Sequence, residues 1–334
     1  MLPASHFPVS GDIHYVSVTT LRPLARQVFR GSTLLALLLC AGPLSASPSG
    51  GVTPAVVPSA ASRSFDFVVL TYNIRGLPLL RDADRMREIG RILRERRRRG
   101  DEPDVVLLQE AWSSEADRIR SRAGYRYQVL GVGKGQNLLL DNPSGLEILS
   151  NYPIVTQYGR RFNDCAGADC LVSKSVIGAT LAIPGLPVPL RIFTTHLQAQ
   201  TPNDGVRKNQ IDDIDVFLRR IGFGAEPAIF AGDMNFKPRH LSYQKFVRVL
   251  PFFTESGRFC LDSRDQCEID VGHDGRTDIL DVWHSSNDRQ FFYTPKDSPV
   301  RITPVQLIRN FTERYEGARL SDHYGYEVRY RFSW

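Results

Sequence analysis

The amino-acid sequence predicts a single α/β domain in which two β-sheets pack against each other. Short apolar strand-like segments recur along the chain, and only a few long amphipathic helices separate them. The 334 residues show neither an internal repeat nor a second block of distinct composition. We therefore expect residues 64–334 to form one folded domain.

The predicted strands are short and mostly apolar, as in a sheet that is buried on both faces. The last one differs, because aromatic and apolar residues alternate with charged ones in "YGYEVRYRF", which is typical of a half-exposed strand. In chain order, strands are expected at 65–70, 104–110, 146–155, 172–183, 188–196, 228–233 and 326–332.

Two long helices are predicted from apolar residues at helical spacing, over 82–99 and 207–221. A shorter helix begins at Ser114, with Asp117 three residues later as in a capping pattern. The first helix ends in four consecutive arginines followed by Gly100. Such a run could bind nucleic acid or lipid head groups. We favour a solvated helix end whose charges complement the negative C-terminal dipole.

The N-terminal 47 residues resemble a secretory signal. Three arginines precede an apolar segment at 34–41, and small residues follow at 45–47. The apolar segment is shorter than the roughly 20 residues that cross a bilayer. The basic lead is unusually long, so an alternative start nearer Val28 is considered. Residues 48–63 are expected to be a flexible linker, and the protein is expected to be secreted or periplasmic, without a transmembrane segment.

Four cysteines follow the leader in two local pairs, Cys165/Cys170 and Cys260/Cys267. An even count on an exported chain favours disulfides, and bridging within each pair is the simplest of three connectivities. Four free thiols are the alternative. The net charge of +6 is compatible with anionic substrates or surfaces but identifies neither.

Polar or ionisable side chains lie at one end of five predicted strands. They are Asn73 after "FVVLTY", Glu110 in "VVLLQE", His196 in "RIFTTH", Asp233 and Asn235 in "AIFAGDMN", and Asp322 with His323 ahead of the last strand. One polar strand end is unremarkable, but five of compatible chemistry predict a single oxygen-rich pocket with two imidazoles. Hard oxygen ligands without a nearby thiolate favour Mg²⁺ or Mn²⁺ over zinc. A hard cation beside histidines and further acids suits the hydrolysis of phosphate esters.

These motifs resemble the endonuclease/exonuclease/phosphatase superfamily, also called DNase-I-like. The matching segments are "TYNIRGLP", "VVLLQE", "SGLEILSNYPI", "TTHLQAQ", "FAGDMNF" and "LSDHYGYEV", which together run from about residue 65 to 332. "THLQA" followed by "VRKNQI", together with "NDCAGADCLVSKSV", is most similar to the bacterial and neutral sphingomyelinase branch. The resemblance implies a four-layer sandwich of two sheets flanked by helices. It also implies a phosphoric ester hydrolase that uses Mg²⁺, with Mn²⁺ or Co²⁺ as alternatives.

The resemblance further implies a role for each matching residue. Glu110 is the expected metal ligand, with Asn73 and Asp322 close to the metal. Asp233 is expected to orient or deprotonate the attacking water. His323 is expected to be the general base or a phosphate contact. Asn235 would donate to a phosphate oxygen, and His196 would stabilise the pentacoordinate phosphate or assist the leaving group. Lys174 would lie near the site. Arg207 and Asn209 would couple a loop to the substrate pocket, and the alternative is that they form a helix end that faces water.

One motif departs from the family pattern. Relatives carry a late Arg-Ile-Asp-Tyr-like strand whose aspartate supports the final histidine. The nearest match here, "RITPVQLI", places Thr303 at that position. We therefore expect either that another acid, such as Asp281 or Asp297, takes this role, or that His323 is less basic than in relatives.

Several classes of function compete for such a site. A phosphodiesterase acting on a phospholipid such as sphingomyelin needs exposed apolar residues beside its pocket. Candidates are the segment 76–81 with Leu77, Leu79 and Leu80, the loop 183–190, which more resembles a hairpin between core strands, and 291–293 as a faint counterpart of an aromatic membrane hairpin.

A nuclease, or an inositol or sugar phosphate phosphatase, would use the same framework. The basic residues are scattered and no aromatic stacking platform is evident, which disfavours a nuclease. A non-catalytic binding module would be expected to have lost one of the central residues, and Glu110, Asp233, Asn235 and His323 are all present. A monomeric phospholipid phosphodiesterase is therefore the main hypothesis.

Overall fold

A computed structural model describes four ranges of the chain, 63–77, 82–131, 144–271 and 283–334. The predicted signal segment, nearly all of the predicted linker, and Leu79, Leu80 and Asp281 lie outside these ranges.

The described residues form two large sheets, a small hairpin and five α-helices. The strands of the first half are β1 (Ser64–Gly76), β2 (Val105–Ala111), β3 (Tyr127–Leu130), β4 (Glu147–Ser150), β5 (Ile154–Arg161), β6 (Ser175–Leu181) and β7 (Leu190–His196). Those of the second half are β8 (Ala228–Asp233), β9 (Thr254–Glu255), β10 (Glu268–Asp270), β11 (Asp288–Tyr293), β12 (Arg301–Asn310), β13 (Arg314–Tyr315), β14 (Ala318–Arg319) and β15 (Gly325–Ser333). The helices are α1 (Ala83–Arg99), α2 (Asp117–Ala123), α3 (Asp204–Arg220), α4 (Leu241–Val249) and α5 (Ser256–Asp262).

Each large sheet has a parallel pair of strands near its centre. The first sheet has the order β10-β12-β15-β1-β2-β4-β3, and the second has the order β5-β6-β7-β8-β11-β9. The pairs β1–β2 and β7–β8 are parallel, and in each pair a helix, α1 or α3, lies between the two strands in the chain. The carboxyl ends of each pair therefore lie together at one sheet edge. The antiparallel neighbours β15 and β11 begin at those same edges.

Three apolar clusters separate four layers. The central cluster lies between the sheets and includes Phe67 and Ile192. A second cluster packs the outer face of the second sheet against α3 and α4, with Phe217 and Phe246 at its centre. A third packs the first sheet against α1 and α2 around Ile89. This arrangement confirms the predicted two-sheet, four-layer sandwich flanked by helices.

The arginine run at the end of α1 is only partly the solvated face that we expected. Arg96 is buried and donates two hydrogen bonds to the fully buried Glu327 of β15, at 2.6 and 2.9 Å. The guanidinium of Arg97 lies over the ring of Tyr125, 4.8 Å from its centre. Only the last two arginines are exposed, and Gly100 closes the helix with φ of +76°. Arg96 therefore ties the helix to the sheet, and Arg97 packs it against the segment that follows α2.

Both local cysteine pairs are bridged, which confirms the simplest connectivity. The Cα atoms are 5.2 Å apart in Cys165–Cys170 and 4.9 Å apart in Cys260–Cys267. The first bridge is exposed, whereas the second lies in the central cluster. Among the helices of the described ranges, none has the length and apolar character that a bilayer crossing requires.

Two segments considered for membrane contact are parts of the fold. Residues 183–190 comprise the turn between β6 and β7 and the first residue of β7, with Ile183 buried in the central cluster. They lie at the start of β7, away from its end at His196. Phe291 is fully buried in β11, and its two aromatic neighbours pack against the apolar clusters. The faint suggestion of an aromatic hairpin at 291–293 is therefore wrong. Leu77 is half-buried at the end of β1.

Candidate active site

The polar strand ends meet at one edge of the sandwich, and Asn73 joins those of the two sheets. Its Nδ2 atom donates to Glu110 Oε1 of the first sheet and to Asp233 Oδ2 of the second, both at 3.0 Å. Its Oδ1 atom accepts from the backbone nitrogen of Arg75 at 3.0 Å. Two carboxylates need a donor and one N–H needs an acceptor, so only this orientation of the buried amide satisfies all partners.

Asp233 is the centre of the cluster. Its Oδ2 atom is 3.4 Å from His196 Nε2 and 3.7 Å from His323 Nε2. Its Oδ1 atom accepts from the backbone nitrogen of Asn235 at 3.0 Å, and the side chain of Asn235 donates to the carbonyl of Leu197 at 2.9 Å. The structure thus brings the acid, the amide and both imidazoles of the prediction into one site.

The backbone of this site adopts unusual conformations. Gly232 has φ of +152°, and a Cβ there would collide with the carbonyl oxygen of Thr195 on β7. Glu110 and Asn235 have φ of +58° and +50°, in the left-handed region. Such conformations cost on the order of 1–3 kcal/mol each and persist where surrounding contacts enforce them. They turn the strand ends so that their side chains converge.

The acid that supports His323 is Asp288. Asp288 Oδ2 is 2.8 Å from His323 Nδ1, a hydrogen-bond distance. Asp288 is the first residue of β11 and lies opposite Asp233 in the register of the second sheet. The sequence carries a usable signal, because Asn287-Asp288 directly precedes the strand "RQFFY".

Thr303 and Asp297 both lie far from His323. Thr303 lies on β12 opposite Arg331, six residues along β15 from Gly325, which places it about 20 Å from the start of that strand. Asp297 is exposed in the turn between β11 and β12, at the far end from Asp288. The prediction that it replaces the missing aspartate is therefore wrong, and Asp281 lies outside the described residues.

His323 is strongly basic. Burial alone would lower its pKa, but the charges of Asp288 and then Asp233 outweigh burial and raise the pKa to about 10. Of the two alternatives that the sequence left open, the structure therefore fits the first, in which another acid supports His323. Burial would raise the pKa of Asp233, but the neighbouring charges of His323 and His196 hold it below its ordinary value. At neutral pH the site contains an imidazolium beside an ionised aspartate.

His196 is neutral, in contrast to the cationic His323. Burial, and then the charge of Lys174, hold the pKa of His196 far below its ordinary value, so the ring is neutral. Its Nε2 atom faces the carboxylate of Asp233 and is therefore the protonated nitrogen. Its Nδ1 atom is buried and finds no hydrogen-bond partner among the described residues. The indole ring of Trp112 stacks over this imidazole with centres 6.1 Å apart.

The donor set at Glu110 fits a hard divalent cation. Burial and then the charges of Asp233 and Asp322 raise the pKa of Glu110, against the opposing hydrogen bond from Asn73. The charges that raise the pKa of Glu110 disfavour its ionised form, and Mg²⁺ with oxygen ligands would supply the positive charge that stabilises this carboxylate.

The metal position has two candidate ligand groups. Ligand atoms of Asp233, Asp288 and His323 lie within 4.8 Å of one another and could also hold an ion. The second group is the predicted one, Asn73, Glu110 and Asp322. In it, Asp322 is mostly exposed and lies 3.7 Å from Arg75, and Asn73 turns its amide nitrogen, not its oxygen, towards the carboxylates. Metal ligation by Asn73, Glu110 and Asp322 stays a prediction.

Lys174 is buried and directly precedes β6 of the second sheet. Its Nζ atom donates to the carbonyl of Leu197 at 3.1 Å and lies 3.3 Å from Asp169 Oδ2. Burial lowers the pKa of Lys174, and the carboxylates of Asp169, Asp233 and Glu110 oppose that effect. The lysine therefore contributes to the electrostatics of the site, and its contact with substrate stays a prediction.

Arg207 and Asn209 hold loops. Arg207 is fully buried and donates to the carbonyls of Gln198 at 2.9 Å and Gln200 at 2.7 Å. Asn209 donates to Asp164 Oδ2 at 2.7 Å. The alternative of a water-facing helix end is wrong for Arg207. Arg207 therefore holds the segment that follows His196, whereas Asn209 is exposed and holds the loop at Asp164 to α3. Contact of either residue with substrate stays a prediction.

Ser321 and the residues of a neighbouring cleft also shape the site and were not predicted from the sequence. Ser321 Oγ donates to the carbonyl of Asn73 at 2.7 Å and accepts from the backbone nitrogen of His323 at 3.2 Å, so it fixes the loop ahead of β15. A cleft of about 250 Å³ opens beside His323, with Asn287 and Tyr324 in its lining. Ser321 stands within the "LSDH" motif, which was a readable signal.

The chain belongs to the Endonuclease/Exonuclease/phosphatase family, whose model matches residues 70–323. No curated protein matches the sequence.

Solved structures of similar fold include sphingomyelinase C from Streptomyces griseocarneus, with 22% identity, a TM-score of 0.58 and coverage of 79% of this chain and 99% of that one. A mutant beta toxin from Staphylococcus aureus with bound magnesium ions has 16% identity, a TM-score of 0.60 and coverage of 79% and 99%. TDP2 from D. rerio, complexed with a single-strand DNA product, has 19% identity, a TM-score of 0.59 and coverage of 79% and 98%. At these identities the likeness establishes the fold.

Proposed function

We propose that this chain is a secreted or periplasmic, Mg²⁺-dependent phosphodiesterase that hydrolyses a phospholipid of the sphingomyelin type. The family indicates a phosphoric ester hydrolase. The observation that carries the proposal is the convergence of Glu110, Asp233 and His323 from both sheets, linked through Asn73. The fold shared with a sphingomyelinase and with a magnesium-bound beta toxin supports the lipid substrate and the ion.

Asp233 is the group best placed to orient and deprotonate the attacking water. It is buried, its pKa is held low, and both imidazoles lie within 3.7 Å of its Oδ2 atom. His323 already carries a proton at neutral pH, so it serves better as a phosphate contact than as the base. Asp288 fixes its ring and stabilises its charge. A divalent ion held by Glu110 would neutralise the phosphate and the leaving oxygen.

His196 and Asn235 supply neutral donors to the same region. The Nε2–H group of His196 can donate to a phosphoryl oxygen or protonate a leaving oxygen, in keeping with the role implied by the family resemblance. Asn235 has one amide hydrogen engaged by the Leu197 carbonyl and a second available to substrate. Fixed donors of this kind stabilise charge that develops in the transition state.

The test is an assay of purified protein against sphingomyelin, phosphatidylcholine and plasmid DNA in parallel, with Mg²⁺ or with chelator. We expect sphingomyelin hydrolysis that chelator abolishes and Mg²⁺ restores. Glu110→Gln should lower turnover at least about 100-fold, whereas the matched exposed control Glu313→Gln should not. Cleavage of DNA alone would refute the lipid assignment, and chelator-resistant turnover would refute the role of the metal.

A nuclease is the second candidate function. The fold likeness to TDP2 with a single-strand DNA product is as close as that to the sphingomyelinase. A nuclease would bind its phosphate backbone through Lys and Arg, so its apparent affinity would fall steeply with salt. The KM for a zwitterionic lipid would change little over the same salt range, which separates the two functions.

A further inference from the structure

A small disulfide-closed loop borders the candidate active site. The Cys165–Cys170 bridge closes a ring that contains part of a short 3₁₀ turn, Gly167–Leu171. Both cysteines are exposed, and no residue of the turn is buried. The ring therefore has no apolar core of its own, and the bridge together with a few hydrogen bonds holds its shape.

Asp169 projects from this ring towards the site. Its Oδ2 atom accepts from the backbone nitrogen of Ala199 at 2.7 Å and lies 3.3 Å from Lys174 Nζ. Lys174 is fully buried, and a buried ammonium without a nearby carboxylate is strongly unfavourable. Asp169 therefore provides both the counter-charge of Lys174 and an anchor for the chain that follows His196.

The carbonyl of Leu197 connects this arrangement to the reacting groups. It accepts from Lys174 Nζ at 3.1 Å and from Asn235 Nδ2 at 2.9 Å. The nitrogen of the same residue donates to the carbonyl of Asp233 at 3.0 Å. The carbonyl of Leu197, the residue after His196, is thus held by Lys174 and in turn orients Asn235. Displacement of Lys174 would free this carbonyl on one side.

A second contact docks the ring onto the same segment. Gln198 Nε2 donates to the carbonyl of Ala166 at 3.0 Å, and the nitrogen of Ala166 donates back to Gln198 Oε1 at 2.9 Å. Gln210 of α3 accepts from the nitrogen of Gln198 at 2.8 Å and donates to the carbonyl of Asp164 at 2.9 Å. The ring and residues 197–199 are thus braced from two sides.

We propose that Asp169 is a positioning residue, held by the Cys165–Cys170 bridge, which fixes Lys174 and residues 197–199 and thereby His196 and Asn235. Opening of the exposed bridge lowers turnover. In that step a dithiol reductant breaks the S–S bond, each sulfur gains one electron and one proton, and the reductant is oxidised to its own disulfide. The kinetic part of this inference rests on the proposed phosphodiester hydrolysis.

The first test substitutes Asp169 without touching the bridge. Asp169→Asn should lower kcat on the soluble diester bis(4-nitrophenyl) phosphate about 10-fold with little change in KM, and Asp169→Glu should recover part of it. The matched control is Asp265→Asn, an exposed aspartate inside the second disulfide ring. Equal kcat in the two asparagine variants would overturn the proposal.

Hydrogen exchange of a peptide covering 197–199 gives a readout that is independent of activity. The Ala199 amide should exchange at least about 10-fold faster in Asp169→Asn than in the wild type, since it loses its acceptor. Unchanged exchange would overturn the positioning role. A wild-type protein that hydrolyses no phosphodiester would refute the proposed function, while the exchange result would still decide the role of Asp169.

The second test opens the bridge. Dithiothreitol should lower wild-type kcat about 10-fold once thiol labelling and mass spectrometry show Cys165 and Cys170 reduced, and reoxidation should restore it. Cys165→Ser/Cys170→Ser should have the low kcat and no response to reductant. Cys260→Ser/Cys267→Ser, or Asp265→Asn if that double variant does not fold, should keep the response. Full kcat with the first ring reduced would contradict the proposal.

Discussion

Two imidazoles of the same pocket differ in charge because their neighbours differ. His323 lies between Asp288 and Asp233, whose carboxylates raise its pKa to about 10 despite burial. His196 is buried next to Lys174, and both effects keep it neutral. One histidine is therefore a fixed cation and the other a neutral donor. The sequence predicted both histidines but could not show their charges, because a pKa depends on side chains that are distant along the chain.

Asp288→Asn should move the alkaline limit of activity. Without this carboxylate the pKa of His323 falls towards its ordinary value of 6.5, so the imidazolium is lost at lower pH. We expect kcat to fall about 100-fold or more and the alkaline limb of kcat/KM to begin at lower pH than in the wild type.

The measurement is a pH–rate profile of both proteins, with the exposed Asp297→Asn as the matched control. The sign also applies to stability, because a raised histidine pKa stabilises the fold fully below the unfolded pKa and this contribution is lost as pH rises through about 10. An Asp288→Asn profile that superimposes on that of the wild type would exclude this role for Asp288.

At the scale of single elements, the end of β8 depends on a glycine. Gly232→Ala must place a methyl group against the carbonyl of Thr195 and hold an alanine at φ of +152°. We expect a loss of about 3 kcal/mol in the free energy of unfolding, measured by urea denaturation. Gly205 in α3 has open space around its Cβ position, so Gly205→Ala should be neutral or slightly stabilising. Equal stabilities of the two variants would show that β7 and β8 can separate without cost.

The contact between α1 and β15 depends on a buried ion pair. Arg96→Met leaves the fully buried Glu327 without its cation, and we expect a loss of about 3–5 kcal/mol in the free energy of unfolding. Arg96→Met/Glu327→Met should recover much of this loss, because no charge remains to be desolvated. Urea denaturation of both variants measures the difference. A double variant less stable than the single one would contradict this account.

The elements and their polar ends could be predicted because local patterns encode them. Apolar runs ending in Asn73, Glu110, His196 and Asp233 showed which residues would converge. The position of Asp288 at a strand start was readable, but its role beside His323 was not. That role arises from the pairing of β11 with β8, and the register joins residues 55 positions apart (288 − 233). The prediction of a fully solvated arginine run was incomplete for a similar reason. Arg96 of α1 is buried only because β15, over 200 residues later, supplies Glu327.

At the scale of the whole molecule, the site is built from residues of both sheets. The first sheet supplies Asn73 and Glu110, and the loop ahead of its strand β15 supplies His323. The second sheet supplies Asp233 and Asp288. The relative position of the sheets therefore sets every distance between their groups. Polar side chains in the otherwise apolar interface can fix that position, since hydrogen bonds are directional and apolar contacts are not.

Gln290 of β11 is such a side chain. It is fully buried, and its Nε2 atom donates across the interface to the carbonyls of Val69 at 2.9 Å and Tyr326 at 2.8 Å. Its Oε1 atom accepts from the hydroxyl of Tyr330 at 3.0 Å. Three bonds from one residue therefore tie the second sheet to β1 and β15, the two strands of the first sheet that lead to Asn73 and follow His323.

Gln290→Ala should therefore lower turnover as well as stability. Loss of three buried hydrogen bonds is expected to reduce the free energy of unfolding by about 3 kcal/mol, and small displacements of the sheets should lower kcat about 10-fold in the protein that remains folded. Arg96→Met is the matched control, since its pair joins a helix to its own sheet. It should lose at least as much stability while its folded fraction keeps the wild-type kcat. Equal kcat for the two variants, measured well below both melting temperatures, would mean that the catalytic geometry does not depend on the tie between the sheets.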